Sequence, residues 1–331
     1  MELPLWFQLA SFGGLSLLLL ADLIVIGRRP HEPSAREAGA WVGFYVALAL
    51  LFGVALALVV DGQYATEFYA GWLTEYSLSV DNLFVFVIIM ARFRVPRELQ
   101  QGALMVGIIV ALVLRGLFIL AGAAVISRFT WVFYLFGAFL LYTAIALVRE
   151  RGEQEEYEEN ALIRHLRKAL PMTGDFVGTK LRVRRGGRTL WTPMLVLFLA
   201  LGTTDLLFAV DSIPAIFGLT QHAFVVFTAN VFALMGLRQL YFLLGGLLRR
   251  LVYLSLGLAV ILAFIGVKLV LQAVHQNRLP FLNGGEPVTG VPHIPTWVSL
   301  LVIVGVLAAA TVASLVKTRR DAGTGQPLGA G

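Results

Sequence analysis

Between Trp191 and Gly218 the chain is almost wholly apolar, yet it carries two carboxylates six residues apart, in Asp205-Leu-Leu-Phe-Ala-Val-Asp211-Ser-Ile-Pro214. A run of this length and character reads as a membrane-crossing helix, because about 20 apolar residues span the hydrocarbon layer. An ionised group at that depth costs a few kcal/mol or more, so such residues are rare and need partners. A similar segment lies earlier in another apolar run, Glu75-Tyr-Ser-Leu-Ser-Val-Asp81-Asn82. In both, an acid is followed six residues later by Asp, with Val immediately before it.

Composition agrees with a membrane solvent. Of 331 residues, 58% are hydrophobic and 14% charged, against about a quarter charged in soluble domains. The expected fold is an all-α polytopic membrane protein. The sequence holds no cysteine, which removes disulfides, thiolate metal sites and cysteine nucleophiles. The first apolar run, Leu5 to Ile26, is longer than a typical signal core, and its charges, Arg28 and Arg29, follow it. It reads as a retained helix.

Nine spans fit, at roughly 5–27, 38–60, 70–91, 102–125, 129–148, 192–217, 222–246, 251–274 and 296–316. The connectors alternate in charge. Those after spans one, three, five and seven, with the C-terminal tail, hold 21 of the 26 Lys and Arg residues. The opposite connectors hold only Arg128 and Arg278. The positive-inside rule then places the N-terminus outside and the C-terminus in the cytoplasm. The only long cytoplasmic connector, 149–191, is first acidic and then basic. It reads as a solvated helix followed by a basic strip or hairpin over 182–188, and it is the place for any protein partner. The tail beyond Arg320 is Gly-rich and reads as disordered. Nothing here points to nucleic acid. The expected units are 1–69 (two N-terminal helices), 70–148, 149–191, 192–274 and 275–331 (outer loop, last helix and tail).

Spans three to five resemble spans six to eight. The first helix of each triplet carries the paired acids. The second carries an arginine, in Ala111-Leu-Val-Leu-Arg115 and Ala233-Leu-Met-Gly-Leu-Arg238. The third is rich in Gly and Leu, around Gly137 and Gly266. Three is odd, so two such units insert with opposite orientation, an inverted repeat of the kind that places a transporter's site near the midplane. Six residues of helix rise about 9 Å and turn about 600°, so the two acids of one unbroken helix point about 120° apart. Either the helices break, with Gly202-Thr203-Thr204 and Pro214 as break points, or the acids form levels along a path. The favoured arrangement is a site built by Asp81 and Asp211, with Glu75 and Asp205 at flanking levels.

The deep acids Glu75, Asp81, Asp205 and Asp211 outnumber the deep bases Arg115, Arg238 and Lys268 by one. A cation, metal or proton, closes that deficit. Carboxylates with the oxygens of Asn82, Ser212 and Ser79 suit hard ions such as Mg²⁺, Ca²⁺ and Mn²⁺. No His or Cys lies deep, which speaks against a dedicated Zn²⁺ or Cu⁺ site. The plainer account is that acids and bases pair to lock the bundle, and for Arg115 and Arg238 that account is preferred. Lys268 either pairs with an acid or snorkels outward. Asp22 is read as an interfacial residue near Arg28. There is no nucleophile–base set, so no enzyme activity and no resident cofactor are expected.

The two acid motifs, together with Ala229-Asn-Val-Phe-Ala-Leu-Met-Gly-Leu-Arg-Gln-Leu-Tyr-Phe242 and Phe264-Ile-Gly-Val-Lys268, resemble the TerC family of tellurium-resistance and Alx-type membrane proteins. The likeness runs from about Leu19 to Ser314. It implies a bacterial inner-membrane protein, export of Mn²⁺ by several members, and links to tellurite resistance and to secretion of metalated proteins. It also implies a distant similarity to lysine-exporter-type transporters. Two positions depart from the family pattern: Gly202 stands where a Glu is common, and Ala146 near a common Lys. One negative and one positive group are lost together, which keeps the charge balance and bears on metal preference and coupling ion.

The expected function is export of a divalent cation, Mn²⁺ first, by exchange with protons. The alternative is a non-transporting scaffold for stress-resistance or secretion partners, bound through 149–191.

Overall fold

The computed structural model describes residues 3–28, 34–129, 131–149, 170–185, 188–244, 252–275, 286, 288, 290–292 and 294–323. The side chains of Asp81 and Asp211 lie outside what is described, as do the acidic stretch of the long connector and the Gly-rich tail. The helices are α1 Leu5–Arg28, α2 Ala35–Val59, α3 Gly62–Arg92, α4 Arg97–Arg128 and α5 Val132–Arg149. A hairpin follows, β1 Arg182–Arg185 and β2 Arg188–Trp191. Then come α6 Pro193–Phe217, α7 Ala223–Leu234, α8 Leu237–Leu244, α9 Leu254–His275 and α10 Thr296–Gly323. Among the described residues these make nine segments long and apolar enough to cross a membrane, α7 and α8 together forming one.

Large apolar side chains cover the outside. Leu58 is 81% exposed and Leu207 65%, which is tolerable only against lipid. The polar residues turn inward instead. Short links between α2 and α3, α3 and α4, α4 and α5, and α6 and α7 make these neighbours antiparallel.

Helix α3 begins eight residues before the expected 70. Asp61 caps it, its carboxylate accepting the N–H of Gln63 at 2.8 Å. The first two turns, read from sequence as an outer loop, are therefore helix. Helix α6 runs unbroken through Gly202, Thr204 and Pro214, so of the two arrangements left open by the sequence its acids lie on one continuous helix. Pro214 stands in the last turn, where a missing N–H and a ring clash disturb little of the helix. The Thr203 hydroxyl donates back to the Leu199 carbonyl at 2.7 Å.

The break falls in the seventh span. Met235 is extended, with ψ 119°, and Gly236 has φ +95°. That conformation is cheap only for glycine. A Cβ on Gly236 would also sit 3.2 Å from the Tyr45 ring.

Three helix pairs tie the middle of the bundle together: α5 against α9, α3 against α7, and α4 against α6. The closest is α5 on α9. A Cβ on Gly137 would stand 2.8 Å from the Gly266 carbonyl oxygen, and one on Gly266 3.0 Å from that of Gly137. Only two glycines allow backbones that close.

The basic strip forms an antiparallel hairpin, pairing Arg182 with Trp191 and Arg185 with Arg188. The Arg182 guanidinium lies 3.7 Å over the Trp191 ring. Thr192 anchors the hairpin to the start of α6, its hydroxyl donating to the Lys180 carbonyl at 2.5 Å. This marks one end of the bundle as the hairpin end. The far end carries the start of α3 and the α6–α7 link.

Candidate functional site

Asp205 sits midway along the 25 residues of α6. Glu75 lies about 20 Å along α3 from its start. Arg115 of α4 stands between them. Its Nη2 donates to Asp205 Oδ1 at 3.0 Å and its Nε to Asp205 Oδ2 at 3.2 Å. This is the two-pronged geometry that a guanidinium offers and an ammonium cannot. Its Nη1 pairs with Glu75 and reaches Ser212 Oγ at 3.5 Å. Arg115, Glu75 and Ser212 are each 1% exposed, and Asp205 3%.

Arg115 thus links the two carboxylates that the sequence set at flanking levels. One arginine bridges them, because a guanidinium has enough donors to serve two carboxylates at once. The group is two carboxylates and one guanidinium, so one carboxylate has no cationic partner of its own. In a dry interior that imbalance is costly.

The α3 face beside this group is short of hydrogen bonds. Trp72 Nε1 and Ser79 Oγ are buried without partners, and Glu75 Oε1 meets Arg115 without hydrogen-bond geometry. Residues 72, 75 and 79 recur at helical spacing on one face of α3. Asn82, three residues on, is half-buried. Buried polar atoms nearly always find partners, so a stripe of unmet ones marks a place for water or an ion. Among the described residues no three His, Cys, Asp or Glu side chains come together as a metal cage. Asp81 and Asp211 lie on α3 and α6, each six residues beyond its acid partner; their side chains fall outside the description.

The other two bases take up separate positions. Arg238, just past the α7–α8 break, donates from Nη2 to Asp22 Oδ1 of α1 at 3.1 Å, while its Nη1 is buried without a partner. Asp22 thus reaches sideways to an arginine 216 residues away in sequence, a pairing the sequence did not reveal. Lys268 of α9 is buried, and its ammonium donates to Ser299 of α10 at 3.0 Å. Asn230 is buried in α7.

Glu67 was missed altogether. It is 5% exposed, and its Oε2 accepts the Thr220 hydroxyl at 2.5 Å. Its Oε1 accepts from Gln63 at 2.9 Å. The available signal was Asp61, whose cap makes 62–69 helix and carries Glu67 into the bundle.

Over residues 60–322 the chain matches the family described as the integral membrane protein TerC family. It is 47% identical over 306 residues to an uncharacterized membrane protein of Mycobacterium tuberculosis strain H37Rv, covering 91% of this chain and 77% of that one. A membrane protein of Myxococcus xanthus is 39% identical over 315 residues, covering 95% of this chain and 93% of its own. Alx of Escherichia coli strain K12, whose name carries a proposed role as a membrane-bound redox modulator, is 38% identical over 302 residues, covering 88% of each. No solved structure matches at a significant level. The resemblance first carried by the paired acid motifs thus extends over most of the chain, which belongs to the TerC family of integral membrane proteins.

Proposed function

We propose that the protein is a secondary transporter that exports a divalent metal cation, Mn²⁺ first, in exchange for protons. One observation carries this reading: the mid-bundle group of Glu75, Arg115 and Asp205, buried, with two carboxylates to one guanidinium, and bordered by polar atoms that lack partners. A structural lock needs equal charge. An odd carboxylate needs a visiting cation, and a proton and a hard metal ion compete for it. Asp81 and Asp211 are the proposed cargo ligands, with Glu75, Asp205, Asn82 and Ser212 around them.

The reciprocal packing of α3 on α7, α4 on α6 and α5 on α9 supports an inverted repeat, since a two-fold exchange of the triplets α3–α5 and α6–α9 reproduces it. The proposed setting is the bacterial inner membrane. By the positive-inside rule the hairpin end faces the cytoplasm.

Uptake of Mn²⁺ into everted vesicles tests the reading. Asp81→Asn and Asp211→Asn abolish uptake while the protein stays in the membrane; normal uptake by both overturns the site. The scaffold alternative draws on the exposed Lys180, Arg184 and Arg185 at the hairpin end, a surface for an acidic partner. Changing these three to Gln leaves uptake intact if the protein transports. A redox role, as the name of Alx has it, has no thiol to use here.

A further inference from the structure

The far end of the bundle holds two buried opposite charges that do not touch. Glu67 is satisfied by Thr220 and Gln63, and Lys268 by Ser299. Neither makes an ion pair within 4.0 Å among the described residues. The α6–α7 link nonetheless brings them close: Thr220 holds Glu67, and a Cβ on Gly218, two residues earlier, would stand 3.1 Å from Cγ of Leu269, the neighbour of Lys268 on α9. A buried pair kept only for stability gains most by closing into contact, since separation leaves each charge with its desolvation cost. Here neutral hydroxyls and an amide hold both groups ready instead.

The position is telling. Glu67 lies eight residues before Glu75 on α3, a rise of about 12 Å. Between them α3 carries Gly71, where a Cβ would stand 3.1 Å from Ile216 Cγ1 of α6. An apolar contact thus packs α3 against α6 between the central group and Glu67. Next to Glu67, among the described residues, lies the α6–α7 link, where the Thr220 hydroxyl also accepts the N–H of His222 at 3.2 Å.

We infer that Glu67 is the exit station for the exported cation, and that Lys268 is the internal ammonium that displaces it, an inference that rests on the transport reading above. When Ile216 moves off Gly71, the ion passes from the central carboxylates to Glu67. The ammonium, on its flexible four-carbon stem, then leaves Ser299 for Glu67 and the ion departs. Thr220 and Gln63 keep the carboxylate in place through both states. The cargo class is a hard divalent cation, since the Glu67 carboxylate and the Thr220 hydroxyl offer it oxygen.

An exit station makes Mn²⁺ on the exit side an inhibitor of net uptake. Everted vesicles preloaded with graded Mn²⁺ measure that inhibition in the full chain. Glu67→Gln keeps the Thr220 contact but loses the charge. It raises the half-inhibiting lumenal concentration at least about tenfold, the effect of losing about 1.4 kcal/mol of attraction. Lys268→Met removes the competing ammonium and lowers that concentration by a similar factor. Shifts in opposite directions are something a merely structural pair does not give. Unchanged inhibition in Glu67→Gln, or the same direction in both variants, overturns the station while the transport reading stands. Absence of uptake by the unaltered chain overturns both. Glu75→Gln separates the levels, because it stops uptake at every lumenal concentration.

Discussion

Arg115 and Arg238, counterparts in the repeat read from the sequence, are treated differently by the bundle. Arg115 sits in the unbroken α4, 1% exposed, and binds two carboxylates from α3 and α6. Arg238 follows a break in its span, binds one carboxylate from α1, and leaves Nη1 without a partner. The first arginine cross-links the two triplets. The second ties one of them to a helix outside both, beside a glycine whose backbone already departs from the helix. The first triplet's middle helix is a fixed post; the second's has a joint.

The comparison is most easily broken at Arg115. Arg115→Met leaves two buried carboxylates unpaired and costs about 3–5 kcal/mol, in the range for breaking a buried pair. Lost accumulation, or a much lower unfolding temperature in detergent, is the readout. Arg115→Lys recovers only part of the loss, since an ammonium cannot serve Asp205 in two-pronged fashion.

Arg238→Met is milder, about 1–2 kcal/mol, because the side chain of Asp22 is 23% exposed and keeps some access to polar surroundings. An Arg238→Met loss equal to that of Arg115→Met would end the distinction between post and joint.

The smallest effect is also the sharpest. Gly236→Ala places a side chain at φ +95° against Tyr45, a strain of about 1–2 kcal/mol. Gly107→Ala in α4 meets Leu201 Cδ1 at an ordinary 3.5 Å and stabilises by up to about 1 kcal/mol, as alanine replaces glycine in a helix. Opposite signs in thermal unfolding of the two variants are expected. Equal signs would mean that the break at Gly236 does not distinguish the two halves.

Much of this was open to reading in one dimension. Hydropathy marked the spans, and the start of α3 escaped only because the Asp61 cap was passed over. The acids and Arg115 stood out as charges within apolar runs. Their partners did not, since Arg115 and Asp205 are 90 residues apart and nothing in a linear pattern ranks one distant carboxylate above another. Pro214 and Gly202 marked α6 as one place for a break, because local residue types favour it there. The bundle broke at Gly236 instead, where Tyr45 presses on a backbone that only glycine allows.

What the sequence alone determined is the solvent and the inventory. Long apolar runs demand lipid, and the charges set within them are too costly to be there without partners. What only the tertiary structure decided is which charges meet. Asp205 and Glu75 share one arginine, Asp22 holds another, and Glu67 and Lys268 each take neutral partners instead. That choice follows from helix packing, because a charge in a low-dielectric interior binds whichever opposite group the surrounding helices bring within about 3 Å.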